Sequence, residues 1–459
     1  MNFHHPRKID LSKLCFENRR ESDKAIAVKH LHESALEAEK FLDYGDPFLV
    51  DIYRITGTRK FRKLGHTMQM MLDSGGMFRS RLTHAIDSSV IARRIAHDNF
   101  GITGSSLFLT EAAALTHDLS QSPLGYSGDK AIKNKLAGFG ISYNEKNIAV
   151  KVLTEWSNQA ISFKGINPTI GLLRQVVMST ETYNAKFKGS WMFQDKAELS
   201  KYITDIDKTY NLELEGWGDI EGRIGVLADG FSWLSEDIMA GLNEGIFTLK
   251  ELTENVPLAK SAYEFLLSDL KNQELGNEIS EIKNNFAAPL SSRFSRFIKT
   301  LSLMIQKEMI ADLVDETEKR YLQYHEKIKY ADDARRLEMP IVCISDYMLA
   351  ESERITGFFG KYMYPRLMQA DGSFENLIAK VFDFLLKSPE YMSRHYTKLV
   401  EKSESEKQAA EVVGEYMNRE LTDGAIIKII MKLDRQLLRR LIKNRFAAKD
   451  LQALNDWAV

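Results

Sequence analysis

Nine prolines in 459 residues constrain this chain more than any other single feature. Proline lacks a backbone donor and clashes with the preceding helical turn, so long helices exclude it, whereas sandwiches of short strands use proline and glycine every few residues. With proline this scarce and Ala, Leu, Glu, Lys and Met abundant, the chain reads as all-α. Hydrophobic residues make up 44% and charged residues 27%, which excludes a disordered or collagen-like polymer and leaves ample material for a core. At this length one core has usually stopped growing, so one large domain or two intimately packed ones is expected.

Lysine and arginine number 62 against 64 aspartates and glutamates, a formal charge of -2. Such a balance gives no global basic field of the kind that holds a protein on nucleic acid or anionic lipid. The run Arg435, Arg439, Arg440, Lys443 and Arg445 is a local exception. It is either a contact for a polyanion or the solvated face of an amphipathic helix. Cys15 and Cys343 alone are too few for a disulfide scaffold and fit a reducing compartment. No run approaches the roughly 18 apolar residues of a membrane span, and the first eight residues have no signal-like apolar stretch. The expectation is a cytoplasmic protein with no membrane partner.

Three segments organise the chain: an N-terminal helical segment over 1–47, a tighter region over 48–245, and a C-terminal helical region over 246–459 packed on it. The first contains an Ala-rich charged stretch from Ser22 to Leu42 that reads as a helix. Glu111–Leu119 is apolar on nearly every side before its last turn, which marks a buried helix carrying His117 and Asp118, with Thr110 as its N-cap. Pro123, Gly125 and Gly128 then demand a loop over Ser120–Gly128. From Ile220 to Leu242, the residues Ile224, Leu227, Phe231, Leu234, Ile238 and Leu242 recur at spacings of three and four, the core stripe of a second helix. Asp229, Trp233 and Asp237 sit four apart on a stripe roughly 140° away and face something other than the main core.

An imidazole beside a carboxylate on a buried helix is costly unless a cation or hydrogen bonds compensate it. Taken alone, His117-Asp118 also fits a core histidine bonded to a neighbouring acid. Two further features stand with it: Arg81-Leu-Thr-His84 opens another helix upstream, and Asp229 lies on the separate helix just described, giving the order His, His-Asp, Asp. This pattern resembles the HD superfamily, and within it the deoxyguanosine triphosphate triphosphohydrolases. The resemblance begins at Arg54-Ile55 and Phe61-Arg-Lys-Leu64 with Gln69, is strongest over Glu111–Leu119, and continues through Ser122-Pro-Leu-Gly125 and Asn144 to Ala228-Asp229. A fainter echo is Ile344-Ser-Asp-Tyr347.

The resemblance implies a helical phosphohydrolase core over 48–245 that hydrolyses a deoxynucleoside triphosphate, dGTP being one candidate, to deoxynucleoside and tripolyphosphate. His84, His117, Asp118 and Asp229 would hold one divalent metal ion. Two imidazoles and two carboxylates suit Mn²⁺, Fe²⁺, Zn²⁺ or Mg²⁺ without choosing among them. Arg81 would meet the triphosphate, Gln69 and Asp237 the sugar hydroxyl, and Trp233 stands where the family has a Tyr packed on the sugar. The departures lie in the loop. Where the family reads Gly-His-Pro-Pro-Phe-Gly-His-Ala-Gly-Glu, this chain reads Ser120-Gln-Ser-Pro-Leu-Gly-Tyr-Ser-Gly-Asp129, and no histidine occurs between 118 and 324. Gln121, Tyr126 and Asp129 are the catalytic candidates that remain; Gln121 can donate a hydrogen bond but carry no charge, and an ordinary tyrosine titrates far above neutrality. Homo-oligomers, hexamers among them, and single-stranded DNA binding are further implications of the resemblance. Two other readings stay open: a metal- or nucleotide-binding sensor without turnover, and a helical DNA-binding or interaction module.

Overall fold

The computed structural model describes residues 6–31, 45–67, 80–143, 145–157, 160–178, 201–210, 212, 217–243, 245–269, 292–421, 425, 426 and 429. Gln69, Asn144 and the basic run Arg435–Arg445 lie outside them, as does the side chain of Tyr126. The fold is all-α, as composition requires. Among the described residues there is no strand, only an isolated antiparallel bridge between His30 and Thr169. None of their helices is long and apolar enough to cross a membrane.

In chain order the helices are α1 (Glu21–Ala27), α2 (Pro47–Gly57), α3 (Arg59–Lys63), α4 (Arg81–Arg94), α5 (Gly104–Leu115), α6 (Tyr126–Gly138), α7 (Glu145–Lys151), α8 (Ile170–Met178), α9 (Lys201–Tyr210) and α10 (Ile220–Asn243). They continue with α11 (Leu249–Asn255), α12 (Pro257–Asp269), α13 (Ser292–Tyr324), α14 (Ala331–Ala334), α15 (Asp346–Tyr362), α16 (Tyr364–Lys387), α17 (Arg394–Glu401) and α18 (Glu406–Glu420). The chain divides into two compact, interleaved units, one of residues 1–57, 84–117 and 153–364, the other of 58–83, 118–152 and 365–459.

In the first unit α10 is the central pillar, packed by α5, α8 and α13, with α2 against α5. Its expected stripe from Ile224 to Leu242 is buried throughout. Asp219 precedes the first residue of α10, where a carboxylate suits the positive end of the helix. Arg174 and Arg19 each approach it at 2.9 Å and Arg335 at 3.4 Å. Burial alone would raise its pKa, but the three guanidiniums overcome that and hold the carboxyl well below the usual range. The cluster ties the N-terminal segment, α8, the start of α10 and the chain beyond α14 into one unit.

The second unit has its own core. Leu377, Ile378, Val381, Phe382 and Leu385 of α16 recur at helical spacing and meet Ala131, Ile132 and Leu136 of α6 and Ala410, Val413 and Met417 of α18.

Three local expectations need correction. The stretch expected as a helix from Ser22 to Leu42 is helical only over Glu21–Ala27 before residues 32–44, which lie outside the description. Thr110 is not an N-cap: α5 begins six residues earlier, at Gly104, and Thr110 donates its hydroxyl to the Ser106 carbonyl at 2.8 Å, a bond that lets a hydroxyl sit inside a buried helix. The same helix stops at Leu115, so His117 and Asp118 belong to a short 3-10 turn, His117–Ser120, rather than to the buried helix itself.

Candidate active site

The first unit gathers three of the four expected ligands. His84 lies in the first turn of α4 and is 2% exposed. Its Nε2 is 3.0 Å from Asp229 Oδ1. One turn further on, Ser88 donates to the same carboxylate oxygen at 3.3 Å. His117 presents Nδ1 at 3.5 Å from Asp229 Oδ2, so each oxygen of Asp229 faces a different imidazole. The side chain of His117 is 37% exposed, a correction to its expected burial. His117 lies beyond the end of α5, in the 3-10 turn that follows Thr116, whose hydroxyl donates to the Ala113 carbonyl at 2.7 Å.

What brings His117 to Asp229 is a close approach of helices. A Cβ on Gly225 of α10 would stand 3.3 Å from the backbone nitrogen of Ala114 in α5, tighter than most contacts, so glycine lets the two backbones meet. Asp229 is one helical turn beyond Gly225, and His117 three residues beyond Ala114. Trp233 and Asp237 continue the Asp229 face of α10. Trp233 packs edge-on against Phe359 at 6.0 Å and keeps part of its surface open, while Asp237 is buried. The expectation that this face avoids the interior therefore holds only in part. On the far side of His84, Glu236 Oε2 stands 3.4 Å from Nδ1, a residue that pattern reading passed over. Its place seven residues after Asp229, two turns along one face, was the available signal.

The second unit holds the loop residues and Arg81. Arg81 Nη1 donates to Asp118 Oδ1 at 3.2 Å, and both side chains are largely buried. Among the described residues, Asp118 Oδ2 and Arg81 Nε find no hydrogen-bond partner. A buried carboxylate oxygen left in that state costs free energy unless a cation or donor takes it up. The Gln121 carbonyl accepts from Lys60 Nζ at 2.7 Å, a lysine that also donates to the Asn418 carbonyl at 2.8 Å. The loop is shorter than expected: α6 begins at Tyr126, so Gly128 lies within a helix. Glycine is required there because a Cβ would fall 1.9 Å from the Pro123 carbonyl oxygen. Leu124, at φ 60°, adopts a left-handed backbone that costs a non-glycine residue energy.

Asp129 is buried and accepts from the Tyr143 hydroxyl at 2.8 Å. Ser122 lies 2.9 Å from that hydroxyl and donates in turn to the Asn418 side chain. Burial raises the Asp129 pKa, against the opposing hydrogen bonds of Ser122 and Tyr143 and the charges of Lys60 and Arg81. Tyr143, Lys60 and Asn418 were not candidates from sequence, because they come from segments far apart in the chain.

The donor types fit a divalent ion, and the partnerless Asp118 oxygen is the observation in favour. Among the described residues no group of three or more His, Cys, Asp or Glu stands in chelating geometry as it is. His84, His117 and Asp229 instead meet through side-chain contacts.

No family model matches the chain. Individual proteins do, over most of its length. A deoxyguanosinetriphosphate triphosphohydrolase-like protein of Caulobacter vibrioides is 27% identical over 350 residues, covering 75% of this chain and 80% of the relative. A protein of the same description from Brucella suis is 25% identical over 349 residues, covering 75% and 79%. A third, from Cereibacter sphaeroides, is 23% identical over 384 residues, covering 83% and 91%. Over about three quarters of its length the chain is thus similar to proteins described as deoxyguanosinetriphosphate triphosphohydrolase-like, in agreement with the resemblance carried by its motifs. Its loop carries Gln121 and Tyr126 without histidine, and Asp129, whose pKa burial raises, accepts from Tyr143.

Proposed function

We propose that this dGTPase-like chain is a metal-dependent hydrolase of deoxynucleoside triphosphates that releases deoxynucleoside and tripolyphosphate. The observation that carries the reading is the convergence of His84 and His117, from different helices, on the two oxygens of Asp229. Asp118, next in the chain to His117, would complete the ligand set on sequence grounds. A divalent ion bound there would polarise the α-phosphate and make a water molecule acidic enough to attack it near neutral pH.

The rest falls to side chains. Arg81 is oriented by Asp118 and has an unused Nε–H, so its fork can take up charge that builds on the phosphate oxygens as the P–O5′ bond breaks. Asp129, a buried carboxyl in the altered loop, would serve as the acid toward the departing 5′-oxygen. Trp233 offers an open indole edge to a sugar, with Asp237 one turn further along α10. Gln69 and Tyr126 complete the binding and catalytic sets on sequence grounds. Homo-oligomerisation, single-stranded DNA binding and a cytoplasmic location belong to the same proposal.

Loss of a positioned acid or base typically costs ~10²–10⁴ in rate, so the altered loop predicts slow turnover rather than none. The purified chain incubated with each of the four dNTPs and Mn²⁺ or Mg²⁺ should yield tripolyphosphate at a low rate. Orthophosphate or a nucleoside monophosphate would move it to another reaction. Tight dNTP binding without any product would support the sensor reading, which the substitution of both loop histidines favours.

A further inference from the structure

The loop that departs most from the resembled pattern is held by a buried cation from another segment. Lys60 of α3 is 9% exposed, and its Nζ donates to the Gln121 carbonyl at 2.7 Å and to the Asn418 carbonyl at 2.8 Å. Burying an ammonium is costly, and two carbonyl oxygens offset that cost through charge-assisted bonds. Asn418 stands in the last turn of α18, where carbonyls lack intrahelical partners and the helix end favours a cation. The N–H of Gln121 is fixed as well, because it donates to the Asp118 carbonyl at 3.1 Å. Ser122, the next residue, donates its hydroxyl to the Asn418 side chain and lies 2.9 Å from the Tyr143 hydroxyl that binds Asp129. The Gln121 backbone is thus pinned between a proposed metal ligand and the end of α18, and Lys60 is the pin on the α18 side.

We infer that Lys60 is a positioning residue for the loop: by holding the Gln121 carbonyl to the end of α18, it sets where Gln121 and the residues after it stand relative to Asp118 and Asp129. Its ammonium acts through the loop backbone and takes no part in the bond that breaks. The inference rests on the proposed hydrolysis and adds to it a residue whose hold on the loop can be read without turnover. Lys63 separates this role from plain stabilisation of α18. Its Nζ donates to the Arg419 carbonyl at 2.6 Å, at the same helix end, and among the described residues no hydrogen bond joins it to the loop. A lysine that only caps α18 and one that also positions the loop therefore stand three residues apart on one helix.

Two measurements on the full chain test it. Hydrogen exchange read by mass spectrometry reports the loop amides, of which those of Gln121 and Gly125 are bonded within the segment. Lys60→Met should speed exchange over 121–125 by about tenfold or more, and Lys63→Met should leave it at the natural rate. With a dNTP and Mn²⁺, Lys60→Met should lower kcat by about 10–100-fold with KM little changed, since small displacements of a positioned group act on the chemical step, whereas Lys63→Met should keep the natural kcat. Lys60→Arg retains a cationic donor and should restore part of both losses. Lys60→Gln, a shorter neutral donor, should show the same two losses in smaller measure and decides the matter if the Met variant does not fold. Natural loop exchange in Lys60→Met or Lys60→Gln, faster exchange with a natural kcat, or an equal fall in kcat from Lys60→Met and Lys63→Met would overturn the positioning role while leaving the proposed hydrolysis intact. A natural chain without turnover would overturn the hydrolysis and the catalytic part of the inference with it, and the exchange measurement would still decide whether Lys60 holds the loop.

Discussion

At the scale of single residues, Asp129 shows how burial and hydrogen bonding oppose each other. Burial pushes its pKa up, and the Tyr143 hydroxyl at 2.8 Å pulls it back by stabilising the charged form. A carboxyl whose folded pKa is raised contributes stability that is full below its unfolded pKa of about 3.9 and is lost as pH rises through the folded value. Tyr143→Phe removes the opposing bond, raises the folded pKa further and leaves the ionised form less satisfied. Urea melts should therefore show the variant losing about 1–3 kcal/mol relative to the natural protein at pH 7, and less than that at pH 4. An equal loss at both pH values would mean that the hydroxyl does not act through Asp129. Little of this was legible from sequence. Asp129 was a candidate because its position matches a family carboxylate, but Tyr143, Ser122 and Asn418 reach it only once three distant segments fold together. Glu236 was hidden differently, since a glutamate on a helix looks like a solvated surface charge until its neighbour is known.

At the scale of elements, α10 was readable because its apolar residues keep a strict three-and-four spacing, and the structure extends it to Ile220–Asn243. Its partner α5 was readable as buried but not in its limits. Three consecutive alanines and flanking leucines announce burial, whereas the end at Leu115, where the Thr116 hydroxyl bonds the Ala113 carbonyl, leaves no mark in the periodicity. The contact of these helices at Gly225 makes a sharp prediction. Gly225→Ala adds one carbon to a space 3.3 Å from Ala114 and gains helix propensity of about 1 kcal/mol, so its net effect should be small. Gly225→Val adds two more carbons against backbone that cannot move aside, and denaturant melts should show a loss of about 1–3 kcal/mol. If valine is tolerated as well as alanine, the close approach does not set the spacing of α5 and α10, nor the distance from His117 to Asp229.

At the scale of the whole molecule, composition and proline scarcity were enough to establish an all-α chain, and the ligand order was enough to find its relatives. The interleaving of two units was not legible, because the chain returns to each unit through segments hundreds of residues apart, and no local pattern records such long-range pairing. The central claim, hydrolysis at the α-phosphate with tripolyphosphate as product, is a statement about which bond breaks, and an isotope can follow that bond. Turnover of a dNTP by the full chain with Mn²⁺ in ¹⁸O-water, read by mass spectrometry, should place one ¹⁸O in the tripolyphosphate and none in the deoxynucleoside. Label in the nucleoside, or label carried by orthophosphate or a nucleoside monophosphate, would contradict attack at the α-phosphorus with loss of the 5′-oxygen.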